Sequence, residues 1–234
     1  MKLLQYKKIS GEILLITGLH IGGSKDDIRI GALDQPIIRN PLNDFPYIPG
    51  SSLKGKIRML LEWNLGVWIP ENGDPHHCTD EKCVICRLFG TTAKENTAGP
   101  GRVLFQDCRL TTDSENELKK LKEQKGFNYA EEKFENVINR RKGTTKDGGL
   151  RQIERVPAGI SFHFYLDYRV FDTGDKGKMD IDYFQYIKRG MKLLENDALG
   201  GSGSRGYGRI KFQGLKDENS HPIDLEEIDL ADVE

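Results

Sequence analysis

Residues 160–170, ISFHFYLDYRV, decide the fold. Ile160, Phe162, Phe164, Leu166, Tyr168 and Val170 alternate with Ser161, His163, Tyr165, Asp167 and Arg169. A period of two over eleven residues is the pattern of a strand with one face in the core. Working downstream, 182–196 carries Tyr183, Ile187, Met191 and Leu194 at three- and four-residue steps, which predicts a helix. Leu199–Ile210, LGGSGSRGYGRI, follows with five glycines in nine residues (200, 201, 203, 206 and 208). Gly200 stands where a helix end takes a left-handed residue. Beyond the glycines, Ile210 and Phe212 alternate with Lys211 and Gln213 as a short strand.

Upstream, 102–110 (RVLFQDCRL) reads as a strand. Residues 52–65 read as a helix capped by Ser51 or Ser52, with Leu53, Ile57, Leu60 and Leu61 turned inward. Residues 9–17 (ISGEILLIT) read as the first strand. The order β-α-β-β-α-β predicts an α+β, ferredoxin-like core, the topology of RNA-recognition modules; a fold alone does not set a function. Three long connections, 18–50, 66–101 and 111–157, interrupt it, and such loops in a compact domain carry function or disorder. Within the third, 116–124 (NELKKLKEQ) suits a short surface helix. The expected organisation is one domain over 1–216 followed by an acidic tail, 217–234.

Among 234 residues, 37% are hydrophobic and 30% charged, the composition of a soluble globular chain. No run is apolar enough to span a membrane, and MKLLQYKKISGE lacks a signal-peptide core. Three of the four cysteines lie within nine residues, which suits a metal site in a reducing compartment, so a cytoplasmic location is expected. The net charge of −1 conceals an asymmetry. The tail holds eight acids and no Lys or Arg, so residues 1–216 carry +7, a charge suited to a polyanionic partner.

Glycines without Cβ let a backbone approach a phosphate chain, and Arg205 adds a fixed charge to this loop; a flexible surface turn is the other reading. No Gly-Lys-Ser/Thr follows, and the loop does not open a helix after a strand, which excludes the Walker and dinucleotide motifs. Lys54, Lys56 and Arg58 dress the start of the 52–65 helix, and Lys54 shares a face with Arg58, so a helix N-terminus and cations together suit phosphate. In 133–155 two strand-like flanks enclose KGTTKDGG, which predicts a long hairpin, and Arg140, Arg141, Lys142, Lys146, Arg151 and Arg155 outnumber the nearby acids. The run HHCTDEKCVICRLFG supplies Cys78, Cys83, Cys86 and either His76 or His77, a tetrahedral set for structural Zn²⁺; only the His-x-Cys start of sequences that resemble this one favours His76. Cys108, on a strand, reads as a buried thiol.

The motifs TGLHIGG (17–23), IPGSSLKGKIR (48–58), CRLFG (86–90) and GGSGSRGYGRI (200–210) resemble, in order, those of the repeated backbone subunit of type III-A CRISPR effector complexes, within the repeat-associated (RAMP) superfamily. The resemblance spans residues 9–213. It implies a modified RNA-recognition fold whose copies form a helical filament along crRNA beside other effector subunits, with no membrane partner. It also implies a hairpin thumb that kinks the guide–target duplex, and cleavage of single-stranded target RNA by a loop aspartate with Mg²⁺ or another divalent cation. The pattern GALDQP (31–36) carries that catalytic role onto Asp34. RNA contacts fall on His20, Ser52, Lys54, Lys56, Arg58, Arg140, Arg151, Arg155, Gly201, Ser202, Gly203, Ser204 and Arg205. Zinc is not implied by membership. Two alternatives remain at this level: a non-catalytic scaffold, and a metal-independent guide-processing endoribonuclease using His20 as acid–base.

Overall fold

The structure, a computed structural model, describes residues 1–23 and 35–231. Four strands make the central sheet: β1 (Lys2–Leu15), β2 (Val103–Phe105), β7 (Ser161–Asp172) and β8 (Ile210–Lys216), in spatial order β2-β7-β1-β8 with every pair antiparallel. Helices α1 (Gly50–Asn64) and α4 (Lys178–Asn196) connect the two halves. Numbered within the core, the strands lie second, third, first, fourth, which is the ferredoxin-like arrangement expected. The insertions add α2 (Val84–Phe89), α3 (Thr112–Lys125) and a hairpin built from β3 (Glu131–Glu135), β4 (Ile138–Asn139), β5 (Thr144–Thr145) and β6 (Arg151–Arg155).

The inward face of 160–170 is buried throughout, with Phe162, Phe164, Tyr168 and Val170 fully enclosed against Ile9 and Ile13 of β1 and Leu53, Ile57, Ile187 and Met191 of the helices. Each such aliphatic or aromatic side chain contributes roughly 1.5–3 kcal/mol by leaving water. The helices meet closely at Gly190, where a Cβ would fall 2.6 Å from the Ile57 Cγ2.

Several boundaries differ from the sequence expectation, each for a tertiary reason. β1 begins at Lys2, because β7 pairs with it as far as Lys2↔Asp172 despite a bulge between Leu3 and Gln5. The 102–110 strand is regular only at 103–105; beyond it, Ile48↔Cys108 and Leu110↔Phe162 are isolated bridges. Helix α1 starts at Gly50 after Pro49, and neither Ser51 nor Ser52 caps it: the Asp107 carboxylate takes the Gly50 N–H at 2.8 Å. Helix α4 starts at Lys178 and ends at Asn196 with Asp197 as its C-cap, so Gly200, at φ +76°, serves the loop and not the helix end. Helix α3 is longer than expected, because the Thr111 side chain caps its start and left-handed Gly126 closes it. The hairpin reverses at 140–143, using only the first two residues of KGTTKDGG (142–149), and Thr144–Thr145 already form β5.

One buried ionic network ties insertion to core. Asp180, in the first turn of α4, is fully enclosed and accepts from Arg87 Nε (2.5 Å), Arg102 Nε (3.1 Å) and the Phe171 N–H (2.8 Å). Its own carbonyl accepts from the Tyr168 hydroxyl. Burial lowers the Arg102 pKa, and Asp180 opposes that by favouring the charged guanidinium. The acidic tail also packs back: Leu225 is buried, the Leu230 carbonyl accepts from Arg189 (2.7 Å), and Glu226 pairs with Lys192 and Lys211. Those two lysines hold the Glu226 carboxyl down to about 2. Among the described residues no helix is long and apolar enough to cross a membrane.

Candidate nucleic-acid interface and metal centre

The spacing Cys83-x2-Cys86 places both thiols on the first turn of α2, where the Cys83 Sγ accepts the Cys86 N–H at 3.5 Å. The preceding loop brings in Cys78, 3.7 Å from Cys86 sulfur to sulfur, and His76, whose Nε2 lies 3.4 Å from the Cys83 Sγ. All four donor atoms fall within 4.8 Å of one another. The His76 Nδ1 sits 2.6 Å from the Trp68 carbonyl. A carbonyl only accepts, so Nδ1 carries the proton and the Nε2 lone pair faces the thiols. His77 turns away toward the Pro75 carbonyl and the edge of Trp68. Of the two histidines, His76 is the one gathered into the cluster. Burial pushes the Cys83 thiol up to about 12 and raises Cys78 too, so assembled thiolates call for a cation. One nitrogen and three sulfurs at this spacing suit a metal such as zinc, with Nδ1 held from outside the cluster as metal-bound imidazoles usually are. Cys108 is a free, buried thiol, its pKa pushed up to about 12 by burial.

The glycine-rich loop joins α4 to β8 and contains one 3-10 turn, Gly203–Arg205. Two of its glycines are obligatory. A Cβ on Gly200 would lie 2.3 Å from the His20 carbonyl oxygen, and one on Gly208 (φ +71°) 1.9 Å from the Leu199 oxygen. The Gly201 N–H donates to that His20 carbonyl at 2.9 Å. The His20 ring is fixed by Nδ1 against the Glu154 carbonyl of β6 (2.7 Å). The loop also clasps β3. Buried Tyr207 donates its hydroxyl to Glu135 (2.8 Å), and Arg205 pairs with the same carboxylate at 3.0 Å. Lys133 and Arg155 lie over the Tyr207 ring. Burial pushes Glu135 upward, but the Tyr207 hydroxyl, Arg205 and Lys133 outweigh it and hold the carboxyl below its ordinary value.

Between loop and hairpin lies a groove of about 580 Å³ with Lys133, Arg140, Arg151 and Arg205 on its walls; its acid, Glu135, is already engaged. The excess of cations suits phosphate oxygens. Loop 35–39 is stitched to the same hairpin: Gln35 bridges Ile153, and the buried Glu154 carboxylate accepts the Ile37 N–H and pairs with Arg39. Asp34 and the rest of 24–34 lie outside the described residues; its neighbour Gln35 sits at the hairpin base.

The remaining expected contacts separate into free and engaged groups. Gly201, Ser204, Arg140 and Arg151 are exposed, Arg205 is exposed but already paired with Glu135, and Ser202 (φ +60°) and Gly203 are half-exposed. Lys54 has no carboxylate partner among the described residues, and burial together with nearby Arg58 lowers its pKa. Lys56, by contrast, pairs with Asp197 (3.3 Å), Arg155 with Glu131, and Arg58 with Glu62. Ser52 is half-buried, with its N–H on the Pro49 carbonyl. Sequence reasoning missed the acids Glu62, Glu135 and Glu154. Only Glu62 left a signal, its place four residues after Arg58.

A family model described as the RAMP superfamily matches residues 12–211, and the chain belongs to that superfamily. Within it, the chain is 43% identical over 211 residues to the "CRISPR system Cms endoribonuclease Csm3" of Methanocaldococcus jannaschii, covering 89% of this chain and 79% of the relative. It is 42% identical over 209 residues to the protein so named from Streptococcus thermophilus, covering 89% and 88%. A crystal structure of a Csm3–Csm4 subcomplex of the type III-A CRISPR-Cas interference complex superposes with a TM-score of 0.56 at 32% identity, covering 93% of this chain and 80% of that one. The Csm3 crystal structure from Methanopyrus kandleri gives 0.57 at 25% identity, covering 88% and 75%.

Proposed function

We propose that this chain is the crRNA-binding, repeated backbone subunit of a type III-A CRISPR effector complex and an endoribonuclease acting on the bound single-stranded target RNA. The observation that carries the reading is that the glycine-rich loop and the hairpin together wall one cationic groove, with His20 bonded to both of them, through Gly201 and Glu154. Relatives named as endoribonucleases, and one crystallised with Csm4, support the activity and the assembly with other subunits. The proposed guide contacts are the exposed backbone of 201–204, His20, Lys54, Arg140, Arg151 and Arg205. Copies of the chain stack along the guide in the cytoplasm, and the hairpin acts as the thumb.

Asp34 is the proposed catalytic residue; Gln35, which follows it in the sequence, bridges Ile153 of the hairpin. Attack by a ribose 2′-hydroxyl needs in-line geometry and stabilised charge on the phosphate. Mg²⁺ or another divalent cation would supply that charge, and a carboxylate is the ligand such ions take. Zn²⁺ held by His76, Cys78, Cys83 and Cys86 is proposed as structural, because four protein donors leave no open position. The test is reconstitution with guide RNA, sibling subunits and matched target. Cleavage products at regular intervals are expected; guide-length RNA hairpins cut by the isolated chain in EDTA would favour the processing enzyme instead.

A further inference from the structure

The metal loop is held by α1 through two side chains that no ligand pattern marks. Glu62 is buried, and its Oε1 accepts from Arg58 Nε at 2.8 Å and from the His76 backbone N–H at 3.1 Å. Arg58 then spends a second nitrogen, Nη2, on the His76 carbonyl at 2.6 Å. One i,i+4 pair on α1 therefore satisfies both main-chain groups of His76. With Nδ1 on the Trp68 carbonyl, the residue is fixed at three points and presents Nε2 to Cys83. Cys83 and Cys86, in contrast, ride on α2, which Arg87 anchors independently to Asp180. The nitrogen donor is thus placed by α1, and the α2 thiolates by the core.

Resting on the metal reading above, we propose that Arg58 and Glu62 are positioning residues of the metal centre, setting the place of His76 and with it the affinity and ligand set of the bound ion. The planar guanidinium suits this task, because it bonds a carboxylate and a carbonyl at once with fixed geometry, which an ammonium does not.

The test uses the full chain, loaded with Zn²⁺ against a chromophoric chelator and, separately, with Co²⁺ followed by absorption. Arg58→Ala is expected to weaken Zn²⁺ roughly 10–100-fold, the usual consequence of removing an outer partner of a metal ligand. Its Co²⁺ spectrum should shift away from the wild-type bands as the imidazole is lost. Arg58→Lys and Glu62→Gln, each keeping part of the hydrogen bonding, should fall between; they also carry the test if Arg58→Ala does not fold. Leu60→Ala, a core truncation on the same helix, separates positioning from general destabilisation and should keep wild-type affinity and spectrum. Wild-type metal binding in all the Arg58 and Glu62 variants, or equal losses in Leu60→Ala, would overturn the proposal. A wild-type chain that binds neither ion would overturn the metal reading itself.

Discussion

Replacing Asp180 by alanine leaves two guanidinium groups, Arg87 and Arg102, buried without a counter-charge, and also frees the Phe171 N–H. Removing one partner of a buried ion pair costs about 3–5 kcal/mol, far more than the lost attraction at a surface would. For a domain of this size each kcal/mol shifts the melting temperature by roughly 2–4 °C, so a fall of about 6–20 °C is expected. Asp180→Asn retains one acceptor oxygen and the side-chain shape, and should lose less. Circular-dichroism melts at neutral pH with matched metal content would measure this. Glu117→Ala, at an exposed position on α3, serves as the surface control, with a change within about 0.5 kcal/mol. A drop below 2 °C for Asp180→Ala would refute the claim that this network anchors α2 to the core.

The metal centre predicts about one Zn per chain by elemental analysis, lost in the Cys83→Ser, Cys86→Ser double variant; metal-free protein prepared without chelator would contradict it. Lys54→Glu should weaken single-stranded RNA binding for all sequences and lower the salt slope by about one unit, measured by titration at several ionic strengths. An effect limited to particular sequences would mean base reading. Glu226 has its carboxyl held down to about 2 from 4.5, so its contribution is present above pH 4.5 and is lost as pH falls through the lower value. Glu226→Gln should therefore make the tail more open to limited proteolysis at neutral pH and reduce the salt dependence of its protection; unchanged protection would mean that the remaining contacts, buried Leu225 and the Arg189–Leu230 hydrogen bond among them, suffice to hold it.

The parts of the fold legible in the sequence were those that periodicity writes locally. The alternation in 160–170, the stripes in 52–65 and 182–196, and the Cys and His spacing all have their cause within a few residues. What the sequence concealed depends on partners far along the chain. Lys2–Lys8 has no inward stripe and becomes strand because β7 supplies its hydrogen bonds. The cap of α1 is Asp107, 57 residues away. The cations of the 52–58 motif looked equivalent, yet Lys56 and Arg58 find Asp197 and Glu62 while Lys54 stays unpaired by any described carboxylate. Glu135, the last of three acids on β3, and Glu154, between Ile153 and Arg155, carry no local mark of their role in joining the hairpin to the glycine-rich loop and to loop 35–39.

The most direct measurement is cleavage by reconstituted complexes carrying Asp34→Ala, given matched target RNA and Mg²⁺, with target affinity measured in parallel. A group that acts only in the transition state lowers the rate and leaves binding unchanged. The expected result is loss of cleavage with assembly, guide binding and target affinity retained, while Asp26→Ala and Asp27→Ala cut nearly as wild type. Undiminished cleavage by the Asp34 variant would contradict the assignment of the catalytic carboxylate, and uncleaved target in the wild-type complex would leave the chain a scaffold.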